Sequence, residues 1–440
     1  MGRTAEIVIR QGHFGNGAER IAACFPRGVP RSALSIADQV VASATTFATG
    51  ALIGRVCTKE EFGYYTIGFS LLTLLMTIQG SLISTPFMIR FPQLDGRDSE
   101  RFAGSSLIHQ LVFAFAVSAI VIAAGVIMSS YGASLGPTIA ALGVALAFLL
   151  QRDYVRQTCF ARFAYAQALG LDLLLASLQV GGLAILYVTG TLHAWSAFLV
   201  LGASCAVAGV HWLVMTRRER TYTRGSVIND ATQNWSSGKW LLASGLVWAL
   251  GMNLYAWIVA GFHGAATAGT WAAALGVMTL INPLMLGVQN YLGPRIMHAR
   301  ANGGVIRLRR VVRETAALFC LLLLTFTLAM AFAGDSLVAL IYGAKYAGNG
   351  TLVVLLALNA AVLTVGFAVS RGLFALELAR IDFYVNFIAL ASFLVFGVAL
   401  VRAAGPMGAA VAQLITNIIA TAVRSVAFAR VGRRLVGEAA

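Results

Sequence analysis

Three stretches of this chain carry no Asp, Glu, Lys or Arg: residues 102–151, 173–216 and 240–294, which are 50, 44 and 55 residues long. In an ordinary soluble chain roughly one residue in four is charged. A helix that crosses a bilayer needs about 20 apolar residues, so each of these stretches is long enough to cross twice. Six shorter charge-free windows, 39–54, 62–89, 315–334, 346–370, 383–401 and 403–423, each hold one crossing. The sequence therefore predicts twelve spans. With 59% hydrophobic and 11% charged residues, the composition excludes a soluble domain and a disordered chain alike.

The turns inside the long windows are readable. Ser129 to Pro137, Thr189-Gly190-Thr191 and Gly261 to Gly264 carry the breakers. The expected helices are roughly 33–53, 63–89, 105–128, 136–151, 166–188, 192–215, 240–261, 265–292, 315–334, 351–370, 383–401 and 406–429. The expected organisation is a tail (1–32), a six-helix bundle (33–215), a linker (216–239), a second six-helix bundle (240–429) and a short tail (430–440). Of the 32 Lys and Arg, 28 fall on the side of the termini. The four exceptions are Arg55, Lys59, Lys345 and Arg402. The positive-inside rule then puts both termini in the cytoplasm. Most of the +15 net charge is a topology signal that also favours contact with anionic membrane lipids. No motif supports nucleic-acid binding.

Both halves begin on the same side, and helix starts repeat at an offset of about 206–217 residues. That is the pattern of a parallel repeat about an axis along the membrane normal. Gly63 matches Gly269, Thr73-Leu74 match Thr279-Leu280, and Arg90 and Arg295 end the second helix of each half.

Polar residues gather on the first two helices of each half. Helix 2 has Thr66, Ser70, Thr73, Thr77, Ser81 and Ser84 at alternating spacings that keep them on one face. Helix 1 has Asp38, Thr45 and Thr49, with Gln39, Ser43 and Thr46 beside them. Helix 7 has Asn253, and helix 8 has Asn282 and Gln289. Small hydroxyl residues serve close helix packing, and for any one Ser or Thr that is sufficient. Asp38, Asn253, Asn282 and Gln289 are more polar than packing requires, and the combined pattern points to a hydrated cavity. An intramembrane acid such as Asp38 is a functional candidate; Asp172 is a weaker one. Glu377, Asp382, Arg371 and Arg380 read as a solvated cluster between helices 10 and 11.

No enzyme signature is present. Gly343 to Gly350 (GAKYAGNG) lacks the spacing of a phosphate-cradling loop. The longest outer loop, roughly 335–350, leaves little room for a catalytic domain, which counts against a glycan polymerase. The cysteines at 24, 57, 159, 205 and 320 stand singly, so neither disulfides, a metal site nor a cofactor is expected. Residues 1–32 have no apolar core like that of a signal peptide.

Residues 34–93 carry a more specific pattern: Ala37-Asp38-Gln39 at the start of helix 1, Gly54-Arg55 with Glu60 to Tyr64 at the first turn, and Ser84 to Pro86 near the end of helix 2. This stretch resembles the polysaccharide-transporter branch of the multidrug/oligosaccharidyl-lipid/polysaccharide flippase superfamily. The resemblance implies two six-helix bundles around a central cavity lined by helices 1, 2, 7 and 8. It implies translocation of undecaprenyl-pyrophosphate-linked saccharide units across a bacterial inner membrane, for exopolysaccharide, O-antigen or capsule. A polysaccharide polymerase and export machinery are the implied partners. The expected cavity residues are Asp38, Gln39, Thr45, Thr49, Thr73, Thr77, Arg90, Asn253, Asn282, Gln289 and Arg295. Arg suits a diphosphate because its planar fork meets two oxygens at once; Arg371 and Arg424 also sit near inner helix ends. The competing expectation is a cation-coupled multidrug exporter of the sister branch, which would need an acidic residue deep in one bundle and an aromatic pocket.

Overall fold

The computed structural model describes residues 30–216, 221–376 and 378–437. Among these residues there are helices and turns and no strand. The first half consists of α1 (Arg31–Val56), α2 (Lys59–Gln93), α3 (Gly96–Ser130), α4 (Gly136–Ala161), α5 (Tyr165–Val188) and α6 (Ala194–Met215). The second consists of α7 (Arg224–His263), α8 (265–302), α9 (305–342), α10 (Gly350–Ala375), α11 (379–404) and α12 (406–437). Two of these boundaries are breaks in nearly continuous helix. Gly303 and Gly304 separate α8 from α9, and Gly405 (φ 56°, ψ −131°) separates α11 from α12. Gly304 and Gly405 take a left-handed φ that residues with a Cβ rarely adopt.

Ten helical stretches are long and apolar enough to cross a membrane. One of them, Arg380–Arg434, holds both arms folded at Gly405, and Ala265–Ile281 is a shorter apolar helix. The chain is a multi-pass, all-α membrane protein. With an even number of spans, α1 begins and α12 ends on one face, here called proximal; the opposite face is distal.

Several helices outrun their expected ends. α4 continues to Ala161 instead of stopping at 151. α7 begins at Arg224, inside the expected linker, where Thr223 and Ser226 cap its first turn reciprocally. α9 runs from 305 to Tyr342, which shrinks the distal loop to 343–349. The reason is common to all three. A charge-free window marks what hydrocarbon tolerates, whereas a helix continues through headgroups or through a buried ion pair.

The most enclosed helix of each half is its fourth, α4 and α10. α3 and α6 reach α4 through glycines. A Cβ at Gly125 would lie 2.3 Å from Ala140 N, and one at Gly202 would lie 2.6 Å from the Ala145 Cβ. α12 meets α10 at Gly366, where a Cβ would lie 2.5 Å from Thr421 Oγ1. Close small-residue crossings of this kind replace the hydrophobic driving force that lipid does not supply.

Candidate functional site

In the first half, α4 carries two guanidiniums into the helix bundle. Arg156 donates to the Asp38 Oδ2 from Nε (3.0 Å) and Nη2 (2.6 Å), and Nη2 also donates to the Gln39 Oε1 at 2.9 Å. One helical turn earlier, Arg152 Nη2 donates to both oxygens of Asp172 on α5 at 2.8 Å. Arg156 Nε also lies 3.4 Å from Asp172. Asp38 is completely buried. Two guanidiniums thus pair with two carboxylates across α1, α4 and α5, and a third carboxylate, Asp153, interacts with both arginines. Such clusters persist in a low-dielectric interior only when every charge has a partner.

Next to the cluster is a cavity of about 130 Å³ lined by Thr45, Thr46 and Thr49 of α1, Gln179 of α5, Tyr65 and Cys205. Thr45 and Thr46 donate to carbonyls of their own helix, at 2.8 and 2.9 Å, which leaves their oxygens free to accept.

The hydroxyl face of α2 turns toward α7. Thr73 donates to the Asn253 Oδ1 at 3.0 Å. A Cβ at Gly245 would sit 3.1 Å from the Thr77 Cγ2, and one at Gly238 would sit 2.8 Å from the Ser81 carbonyl oxygen. Thr66, Ser70, Thr77 and Ser81 each donate to a carbonyl four residues back. At the proximal end Arg90 bonds Asn234 (3.0 Å) and Asp230 (3.2 Å) while lying over the Phe102 ring. His109 and Ser105 of α3 meet Val227 and Ser226 of α7. The two halves are therefore joined along the α2/α7 seam from Thr73 to Arg90.

At the distal face the halves meet again, with two-fold regularity. A Cβ at Gly63 of α2 would lie 1.8 Å from the Ala265 carbonyl oxygen, and one at Gly269 of α8 would lie 2.2 Å from that of Lys59. Each glycine thus faces the residue four positions before its counterpart. Arg55, at the end of α1, donates to the Leu340 carbonyl of α9, while Lys345 donates to the carbonyls of Arg55 and Cys57. The Tyr342 ring fills the gap between Gly54 and Gly276 and packs on Phe62. Burial lowers the Lys345 pKa from its ordinary value. Three of the four Lys and Arg that break the charge asymmetry, Arg55, Lys59 and Lys345, belong to this closure, with Lys59 over the Tyr346 ring. Toward the proximal face the α1 flank is uncovered: Ile36 and Val40 are 60% and 50% exposed.

The second half holds a larger cavity of about 230 Å³ between α7, α10, α11 and α12. Arg424 donates to Asp382 (2.7 Å) and Asn386 (2.6 Å) on α11. Asn417 donates to the Asn359 Oδ1 at 2.8 Å. Asp382 is thus in the first turn of α11, paired with a buried Arg424. The sequence expectation of a solvated loop cluster is incorrect for this residue; Glu377 lies outside the described residues.

The expected site residues fall into separate places. Asp38 and Gln39 are bonded to Arg156; Thr45 and Thr49 line the first-half cavity; Thr73, Thr77, Asn253 and Arg90 lie on the α2/α7 seam. Arg295 sits 3.5 Å from Glu314 in a pair about half exposed on both sides. The side chains of Asn282 and Gln289 lie outside the described residues. Sequence reasoning missed Arg152, Arg156, Gln179, Asn386, Gln413 and Asn417. For Arg152 and Arg156 the available signal was spacing: four residues apart, both fall on one face of a continued α4.

Among the described residues, the arrangement of twelve helices in two similarly built halves is shared with solved structures of transporters of the MOP superfamily. No family model and no curated protein matches the chain, and the likeness is structural. An inward-facing multidrug resistance MATE family transporter superposes with a TM-score of 0.75 at 15% identity, over 91% of this chain and 96% of that one. The lipid II flippase MurJ, in an inward closed conformation, gives 0.69 at 14% identity, over 90% and 87%. An outward-facing MATE structure gives 0.61 at 14% identity, over 99% and 100%.

Proposed function

We propose that this chain is an alternating-access flippase for lipid-linked saccharides. Its cargo would be undecaprenyl-pyrophosphate-linked repeat units of an exopolysaccharide, O-antigen or capsule, moved across a bacterial inner membrane with both termini cytoplasmic. It performs no covalent chemistry, and a polymerase and export machinery would take up its product. The alternative, a cation-coupled multidrug exporter, needs a carboxylate free to take up a proton or metal ion.

One observation carries the choice. Asp38, the acid placed deep in α1, is fully buried and bonded twice to Arg156, and Asp172 is held by Arg152. Guanidiniums of the chain itself occupy the place a coupling cation would need. The physical task fits what remains. The lipid tail stays in hydrocarbon, while the sugar and diphosphate must cross about 30 Å that exclude them. Hydroxyls, amides and cations can stand in for their water. A distal closure with an uncovered α1 flank matches the stage at which cargo is loaded from the proximal leaflet.

The test is reconstitution in liposomes containing a fluorescent polyprenyl-diphosphate disaccharide. Dithionite added outside should bleach the inner-leaflet probe only in vesicles carrying the protein. Bleaching no greater than in protein-free vesicles, together with proton-driven uptake of a lipophilic cation, would overturn the reading in favour of the exporter.

A further inference from the structure

The second-half cavity is built unlike the first. In the first half each of the two guanidiniums is paired with a carboxylate. Here Arg424 is matched by Asp382, but Arg371 also lines the space, and it has no ion pair among the described residues. It is exposed at the edge of the cavity, its Cζ 4.5 Å from the Phe367 centroid and 5.9 Å from that of Phe374. The described lining therefore carries one excess positive charge. A guanidinium without an ion pair has donors left for a ligand, and its planar fork fits phosphate oxygens in pairs.

The rest of the lining suits a sugar. Trp248, Tyr255 and Phe393 supply ring faces, with Tyr255 and Phe393 packed 4.2 Å apart. Asn386, Gln413 and Asn417 supply planar amides. The Gln413 Oε1 is buried, on a residue 7% exposed, and has no hydrogen-bond partner. A buried acceptor left without a donor costs about 1–3 kcal/mol, and a hydroxyl of a bound molecule would satisfy it. The volume of about 230 Å³ equals roughly seven or eight waters at liquid density, enough for one pyranose ring. Depth agrees as well: Arg371 lies about one turn before the end of α10 and Asp382 in the first turn of α11. Both lie at the proximal helix ends, near the level of phosphates in that leaflet.

We infer that this cavity binds the hexose 1-phosphate portion of the cargo, with Arg371 on the phosphate and the Trp248 side of the cavity against the ring. The inference rests on the flippase reading for the identity of the cargo, but the pocket's chemistry can be tested without transport. The probe is glucose 1-phosphate, titrated against the full chain in lipid nanodiscs and followed by ligand-observed NMR saturation transfer. Glucose and inorganic phosphate serve as half-ligands, and farnesyl diphosphate as a phosphorylated lipid without sugar.

Glucose 1-phosphate should bind saturably and more tightly than either half-ligand. Arg371→Gln should weaken it about tenfold or more, the usual effect of losing a charge-assisted bond to phosphate. Arg371→Lys should recover part of the loss, and Trp248→Leu should weaken glucose 1-phosphate and glucose together. Arg309→Gln, on the proximal part of α9, should change nothing. Three results would overturn the inference: no saturable binding by the parent chain, equal affinity in Arg371→Gln with an unchanged melting curve, or farnesyl diphosphate competing as strongly as the sugar phosphate. Liposome bleaching on the same variants separates the two readings. Transport that survives with glucose 1-phosphate binding absent removes this pocket and leaves the flippase. Binding without any transport by the parent chain removes the flippase and leaves the pocket.

Discussion

The distal crossing of α2 and α8 makes the conformational balance accessible to a single methyl group. A Cβ at Gly63 would lie 1.8 Å from the Ala265 carbonyl oxygen, whereas an ordinary C···O contact is about 3.3 Å or longer. Gly63→Ala therefore requires the two backbones to part by about 1.5 Å there. Gly269→Ala, at 2.2 Å from the Lys59 oxygen, requires slightly less. Both contacts are to backbone, so no side chain can swing away. Overpacking of this kind costs about 1–3 kcal/mol. A state with the distal ends apart escapes that cost, so the balance should shift toward it by about 5–150-fold.

Spin labels at exposed Ala133 and Ala404, in a chain freed of its five cysteines, report the distal separation by double electron–electron resonance. The parent should populate mainly the short distance, and Gly269→Ala should move population to a longer one. The double variant should shift little beyond the stronger single variant, because parting the helices relieves both contacts together. An unchanged distance distribution in both single variants, with the protein folded, would refute the account of the distal closure as a bistable contact.

Arg156→Leu strands a buried Asp38 and should lower stability by about 3–5 kcal/mol; adding Asp38→Asn should recover much of it. Thermal unfolding in detergent reads this, and additive losses would mean the pair is not a unit. Thr73→Val removes one neutral bond to Asn253, with an expected cost of about 0.6 kcal/mol. If that variant is stable but inactive in the liposome assay, Thr73 touches cargo as well as α7. Arg295→Gln breaks a half-exposed pair and should change stability by less than about 1 kcal/mol, measured by the same melts. Lys345→Met removes the donor to the Arg55 and Cys57 carbonyls and should lengthen the Ala133–Ala404 distance in the same direction as Gly269→Ala.

The number of helices, their pairing into halves and the sidedness of the charges were legible because hydrocarbon imposes them residue by residue. Gly63 and Gly269 were legible as a repeat, but not as partners, because contact across 206 positions leaves no local trace. The ion clusters were hidden by the criterion that found the helices. Counting any charge as the end of a span places Arg152, Arg156 and Asp382 beyond helix ends, yet the first two lie on a continuing α4 and the third faces Arg424 across α11 and α12. A charge inside a membrane protein is tolerated when its opposite arrives on another helix, and the identity of that helix is a property of the fold. Likewise the α2 hydroxyl stripe is periodic in sequence, but only packing decides that Thr73 meets Asn253.

The long α7 has a consequence for how such a molecule can move. Its proximal third is fastened to α3 by His109 and Ser105 and to α2 by Arg90, so one flank of the molecule behaves as a stitched spine. Any swing of one half against the other must turn about that line, and the gap it creates widens toward α1. A molecule with a greasy tail several times longer than the cavity could then be handled without being swallowed whole, its tail trailing sideways among the lipids while its head turns over inside.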